Sequence, residues 1–224
     1  MKKLYLVDVS SLFFRAFYAI RSLNNKKGLP TNALYGFLAA VVKILREHKP
    51  DEIAFCFDRP EPTFREELSP EYKANRSEPP EDLIKQFPYL RPLAEALNVA
   101  ICEKVGFEAD DIIGTLAKRS ARQGLEVTIV SGDKDFGQLV GPGVRIFDPA
   151  KDLYIDSDGV RGKFGVAPSQ VIDYLALVGD ASDNVPGVAG IGPKGAQKLL
   201  LEFGSLDGIY AHLDDIKNDR LRES

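Results

Sequence analysis

Nine acidic residues stand where carboxylates could do chemistry together: Asp8, Asp58, Glu108, Asp110, Asp111, Asp133, Asp135, Asp180 and Asp183. Asp8, Asp58 and the Asp133/Asp135 pair each follow a short apolar run. Taken singly, each has a plainer role. Asp8 could cap a helix, Glu108, Asp110 and Asp111 could answer a helix dipole, and the other pairs could be turn formers. Brought together, they would repel one another unless cations neutralised them. Oxygen-only ligands select a hard cation, Mg²⁺ or Mn²⁺, over zinc. There are more carboxylates than one magnesium needs. That surplus favours two ions about 4 Å apart, the usual clamp for in-line displacement at phosphorus. Zinc has almost no material: His48 and His212 lack HxxxH spacing, and Cys56 and Cys102 form no CxxC.

The elements that must position these acids can be read from apolar periodicity. Leu4–Val7, Ile53–Phe57, Val99–Cys102, Val127–Val130 and Val144–Phe147 predict strands. Helices are predicted from Ser10-Ser11 through Ile20, from Thr31 or Asn32 through His48, over 81–97 and over Glu108–Gln123. Beyond Asp158 the pattern is helical and loop-rich. Strands alternating with helices imply an α/β fold with a mainly parallel sheet covered on both faces. In such a sheet the ligand site lies beyond the carboxyl ends of the strands, so acids remote in sequence reach one rim.

The 224 residues allow one large domain or a main domain with a small appendage, with 44% hydrophobic and 28% charged residues as in an ordinary globular protein. The longest apolar stretch, Ala33–Val42, is too short to cross a bilayer, and Met1-Lys2-Lys3 with four apolar residues is not a secretory signal. The two cysteines read as buried reduced thiols, hence a cytosolic protein, and both histidines as surface residues near helix ends. The net charge of −4 argues on its face against a nucleic-acid partner. Setting the nine acids aside leaves 24 acids against 29 bases. A polyanionic substrate is thus compatible with this chain, provided that metal covers those acids.

Residues 59 to 82 change character, with five prolines, many charges and few aliphatics, and predict a long mobile excursion. Within it, Tyr72-Lys73-Ala74-Asn75-Arg76 sets an aromatic beside two cations, which suits a base and its phosphates. A second candidate is the run Pro186–Lys194. Its glycines, Gly190 and Gly192 among them, let backbone approach a ligand, and Pro193 suits a first helical position. Lys194 and Lys198, one turn apart, complete a phosphate seat. The G-x-G-x-x-G match at 190–195 lacks a preceding strand, and Pro193 stands where a P-loop needs lysine, which disfavours both nucleotide-binding motifs.

Val7-Asp8-Val9-Ser10, Phe57-Asp58-Arg59, Phe64-Arg65, Tyr72–Arg76, Phe107–Asp111, Ser131–Asp135 and Gly179–Gly187 together resemble the 5′-nuclease (flap endonuclease-like) family, which includes the exonuclease domain of bacterial DNA polymerase I. The resemblance runs in order over nearly the whole chain. It implies a PIN-like nuclease core over 1–175, with a helical arch at about 59–82, and a helix–hairpin–helix-type duplex-binding region over 176–224. It implies a metal-dependent 5′→3′ exonuclease and flap endonuclease of replication and repair, cutting DNA near a 5′ single-strand/duplex junction. The nine acids match the family's metal positions. Lys73 and Arg76 match basic arch residues that orient the scissile phosphate, with Tyr72 beside them. Gly190, Gly192, Lys194 and Lys198 fall in the duplex-gripping element. Some members bind K⁺ there through main-chain oxygens, for which Leu177, Val178, Pro186, Val188 and Ile191 are the matching positions. A monomer without membrane contact, cooperating with a DNA polymerase in cis or in trans, is expected. Stand-alone enzyme and fragment of a longer polymerase both stay open. So do two other classes: a non-catalytic DNA-junction binder and a phosphatase of small substrates.

Overall fold

Alternation along the first strand builds two cores at once. Leu4 and Leu6 point to one face of the sheet, Tyr5 and Val7 to the other, and all four are buried. The computed structural model describes residues 1–216 and Arg222. In chain order the strands are β1 (Lys3–Asp8), β2 (Glu52–Cys56), β3 (Ala100–Cys102), β4 (Glu126–Val130), β5 (Val144–Asp148), β6 (Leu153–Ile155), β7 (Gly179–Asp180) and β8 (Val185–Pro186). The helices are α1 (Val9–Ala19), α2 (Asn32–Lys43), α3 (Phe64–Leu68), α4 (Glu81–Ile84), α5 (Leu90–Ala96), α6 (Ala109–Arg122), α7 (Ser157–Phe164), α8 (Val171–Val178), α9 (Pro193–Phe203) and α10 (Leu206–Ala211).

The main sheet runs β3-β2-β1-β4-β5-β6, parallel except for β6 at its edge. One core packs the sheet against α1, α2 and α5, the other against α6 and the C-terminal helices. The chain moves outward from β1 through β2 to β3, then crosses to β4 on the other side of β1. Strand order therefore reverses at β1, which opens a crevice at the carboxyl ends of β1, β2 and β4. Register places Asp8 opposite Cys56 and Val7 opposite Val130. The aspartates that follow these strands arrive at one rim.

Several local expectations need correction. Asp8, not Ser10 or Ser11, caps α1, its Oδ1 accepting from Ser11 N at 3.0 Å. The free N–H groups of α2 are met from far away: buried Gln86 accepts from Ala33 N and Leu34 N at 3.0 and 3.2 Å. The single helix expected over 81–97 is broken into α4, a 3₁₀ turn and α5, because Pro88 lacks the N–H a continuous helix needs. The helix expected to reach His48 loosens after Lys43 into a π-helical turn, Ile44–His48. His48 is not a plain surface residue. Its ring lies 4.6 Å from Phe147, its Nδ1 is 2.7 Å from Tyr154 Oη, and its Nε2 is buried without a hydrogen-bond partner. His212 is exposed at the end of α10, as expected. The strands β6, β7 and β8 were not anticipated. Two or three residues carry no periodicity to read.

Candidate metal and nucleic-acid site

A cleft of about 600 Å³ opens at the rim, and seven of the nine acids line it: Glu108, Asp110, Asp111, Asp133, Asp135, Asp180 and Asp183. They arrive on the first turn of α6, the loop after β4, and the β7–β8 turn. Asp8 and Asp58 lie outside the lining but close enough for their charges to act on Asp110. Both are anchored. Asp8 Oδ2 accepts from Ser131 Oγ at 2.8 Å, and Asp58 accepts from Ala109 N at 2.8 Å and Ser10 Oγ at 2.6 Å. Asp58 thus holds the start of α6 against the end of β2.

The electrostatics divide the acids into two sets. Asp110 is pushed up to about 8, first by burial and then by the charges of Asp8, Asp133 and Asp58. Asp8 and Asp135 are each pushed up to about 6, again chiefly by burial. The other set carries cations. Glu108 receives Lys73 Nζ at 2.7 Å, and Asp183 receives Arg76 at 2.6 Å. Asp180 receives Lys134 at 2.9 Å, and Asp111 is gripped by both guanidinium nitrogens of Arg65 at 2.7 and 2.8 Å. Burial pushes Asp111 and Asp180 up, but these partners hold both below the usual carboxylate range.

The excursion over 59–82 carries α3, and its Arg65 and Tyr72 line the cleft. It is tied to the β7–β8 turn by Lys73 N to Asp183 O at 2.9 Å, Asn75 Nδ2 to Ala181 O at 2.8 Å, and Asn184 Nδ2 to Glu71 O at 2.7 Å. Tyr72 Oη lies 3.2 Å from both Glu108 and Asp183; burial, then these two charges, keeps the phenol protonated. Lys73 holds a left-handed backbone, φ +56°, a conformation of roughly 1–2 kcal/mol cost for a residue with a Cβ. The contacts just named on its N–H and Nζ hold it there. As arranged, no group of three carboxylates among the described residues is ready-made to hold an ion. The arch cations and the helix caps occupy many of the oxygens that a metal would need.

The donor set nevertheless suits a hard divalent ion. It is all oxygen, it is crowded enough to favour protonation, and Asp135 Oδ1 is buried with no hydrogen-bond partner. A pH dependence follows. Asp110, Asp8 and Asp135 bind a proton more tightly folded than unfolded. Their contribution to stability is complete below 3.8 and is lost as pH rises through about 6 and then about 8. Asp111 and Asp180 act in the opposite sense, only below 3.8. The melting temperature in chelator is expected to fall from about pH 5 to about pH 8, and Mn²⁺ to reverse that fall. A melting temperature flat with pH in chelator contradicts this reading.

Sequence reasoning gave no role to three groups that shape the site. In the sequence Arg65 stands out only as part of Phe64-Arg65, yet it grips Asp111. Arg15 donates to buried Asp148 at 3.0 Å and lies so close over Gly132 that a Cβ there would run into its guanidinium. Gly179, at φ +77°, passes Gly187 so closely that a Cβ on either would strike the other segment's backbone within 2.6 Å. A glycine between strand-end acids is the one signal that could have flagged Gly132.

The hairpin residues lie outside the lining of the cleft. Gly190 has φ +85°, Gly192 caps α9, and Pro193 is its first residue. Lys194 and Lys198 are exposed on one face of that helix. Of the main-chain oxygens at the five potassium positions, that of Leu177 accepts from Val188 N and that of Val188 accepts from Ile191 N. Residues 217–221 and 223–224, part of the duplex-binding region expected over 176–224, lie outside the described residues. Among the described residues, no helix is long and apolar enough to cross a membrane.

Two family models match the chain: the 5′-3′ exonuclease N-terminal resolvase-like domain over residues 3–165, and the 5′-3′ exonuclease C-terminal SAM fold over 166–224. A 5′-3′ exonuclease of Aquifex aeolicus is 39% identical, over 98% of this chain and 76% of its own. DNA polymerase I of Bacillus caldotenax is 45% identical over the whole chain, which spans only 26% of that relative. Among solved structures, the bacteriophage T5 flap endonuclease in a pseudo-enzyme-product complex with DNA and metal ions superposes with a TM-score of 0.80 at 25% identity, over 99% of this chain and 83% of that one.

Proposed function

The chain belongs to the 5′-3′ exonuclease family, and on that premise we propose that it hydrolyses DNA phosphodiesters near the junction of a 5′ single strand with duplex, as a metal-dependent 5′→3′ exonuclease and flap endonuclease. The observation that carries the reading is the seven-acid cleft closed over by Lys73, Arg76 and Tyr72. The nine acids are the proposed ligands. Two bound Mg²⁺ or Mn²⁺ ions would help deprotonate a water and stabilise the leaving 3′-oxygen.

The chain's own residues do the rest. Lys73 and Arg76 now spend their charge on Glu108 and Asp183. A scissile phosphate offers them an alternative partner, so the arch can exchange carboxylate for phosphate as substrate enters. Tyr72 is the proposed aromatic for stacking on a base. Over residues 176–224, Gly190 and Gly192 let the backbone come near the duplex, and Lys194 and Lys198 neutralise its phosphates without reading sequence. Main-chain oxygens of Leu177, Val178, Pro186, Val188 and Ile191 are the proposed K⁺ seat. The core over 1–175 supplies seven of the nine acids, and Asp180 and Asp183 come from the region over 176–224. Action as a cytosolic monomer, with a DNA polymerase in cis or in trans, belongs to the same proposal.

A labelled 5′-flap DNA incubated with Mg²⁺, with and without chelator, tests it. The expected result is a short 5′ product that disappears with chelator. Flap binding without any product points to a junction binder, and hydrolysis of a chromogenic monoester with DNA untouched points to a small-substrate phosphatase. Either outcome removes the nuclease reading.

A further inference from the structure

Cys56 and Cys102 lie 46 positions apart in sequence but end neighbouring strands, where they face each other as register partners of β2 and β3. Parallel neighbours lie about 4.8 Å apart, inside the roughly 4.4–6.8 Å Cα separation that a disulfide spans. Both side chains project to the same face, Cys56 within the core there and Cys102 packed against it. Both thiols are free. Cys56 is fully buried, whereas Cys102 is half-buried on the edge strand, where a small solute can reach it. The neighbouring Cys56 thiol also draws the Cys102 thiol down, which favours the nucleophilic form.

We propose that Cys102 and Cys56 are an oxidation site for hydrogen peroxide, Cys102 being the sulfur attacked and Cys56 the sulfur that resolves it into a β2–β3 disulfide. Cys102 sulfur attacks one peroxide oxygen, the O–O bond breaks, and the departing hydroxide takes up the thiol proton as water. Cys56 sulfur then attacks the sulfenic sulfur. The S–S bond forms, the S–O bond breaks, and the hydroxide leaves with the Cys56 proton as a second water. Two thiols lose two electrons and one peroxide gains them.

The position of the crosslink gives it a consequence. A disulfide draws the two Cβ atoms to about 3.8 Å, closer than parallel neighbours stand. β2 leads from Cys56 through Phe57, whose N–H donates to Cys102 O at 3.0 Å, to Asp58. Asp58 accepts from Ala109 N at the start of α6, whose N-cap is Glu108 and whose first turn carries Asp110 and Asp111. Oxidation therefore shifts the footing of the acids and slows cutting. This second half rests on the nuclease reading above; the crosslink does not.

The test uses the full chain, reduced and then treated with one to a few equivalents of hydrogen peroxide. Both thiols are expected to vanish together, with a non-reduced peptide map showing Cys56 joined to Cys102 and dithiothreitol restoring both. Cys56→Ser should stop at a sulfenic acid that dimedone traps on Cys102. Thiols that stay titratable, or that oxidise singly to sulfinic acid without the linked peptide, overturn the proposal; this wild-type readout needs no variant to fold. Single-turnover cleavage of a 5′ flap should slow about tenfold or more after oxidation and recover with reductant. An unchanged rate with the disulfide present overturns the link to Asp58. A reduced chain that cuts nothing defeats the nuclease reading and leaves the dithiol standing.

Discussion

Changing Asp133 and Asp135 together to asparagine is expected to slow flap cleavage by at least ~10³-fold, with the fold intact. The two acids sit in one loop, and Asp133 Oδ1 accepts from Asp135 N at 2.8 Å. An asparagine keeps that acceptor, so the turn survives. What is lost is negative charge at the cleft, including the buried, unpartnered Asp135 Oδ1. The same change removes repulsion from Asp110 and Asp8, so the melting temperature in chelator should hold or rise. Cleavage and thermal melts on the same preparation check both halves. Normal cleavage by the double variant removes these two carboxylates from the chemistry, and a collapsed melt makes them structural.

Lys73→Ala is expected to cost about 10²–10³-fold in the single-turnover rate, the size typical of one preorganised charge facing a transition state. Its Nζ lies 2.7 Å from Glu108, a proposed metal ligand. The residue therefore competes with an ion in the resting enzyme and faces the phosphate in the working one. The two roles make opposite predictions for metal affinity. Removing a competitor frees Glu108, so the Mn²⁺ dissociation constant should stay level or fall while the chemical step slows. If affinity drops in step with the rate, Lys73 supports the metal site and does not face the reacting phosphate.

How much of this was legible beforehand depends on range. Apolar runs that end in aspartate give away both a strand and its rim, because a parallel sheet delivers every strand's carboxyl end to one side. Asp8, Asp58 and Asp133 could be grouped that way although the structure spreads them over β1, β2 and the loop after β4. The two glycines and two lysines around Pro193 were equally readable, since a helix start is a local signal. Pairing at long range left no such trace. Lys73 with Glu108, Arg76 with Asp183, Gln86 with the start of α2, and Cys56 with Cys102 join positions with no spacing rule. The chain could single out Lys73 and Arg76 in the arch, but not that both already pair with the acids below. His48 misled for the same reason: nothing near it in sequence announces Phe147 and Tyr154.

The central claim is that scattered carboxylates act as one receptor for divalent ions once the arch cations give way. Titrating the chelator-stripped chain with Mn²⁺, and following free ion by electron paramagnetic resonance, tests it most directly. The account predicts saturable binding of two ions per chain and release of protons near pH 7, where Asp110 still holds its own. It also predicts loss of at least one ion in the Asp133→Asn, Asp135→Asn variant. No saturable binding, or the same binding in the variant, contradicts it.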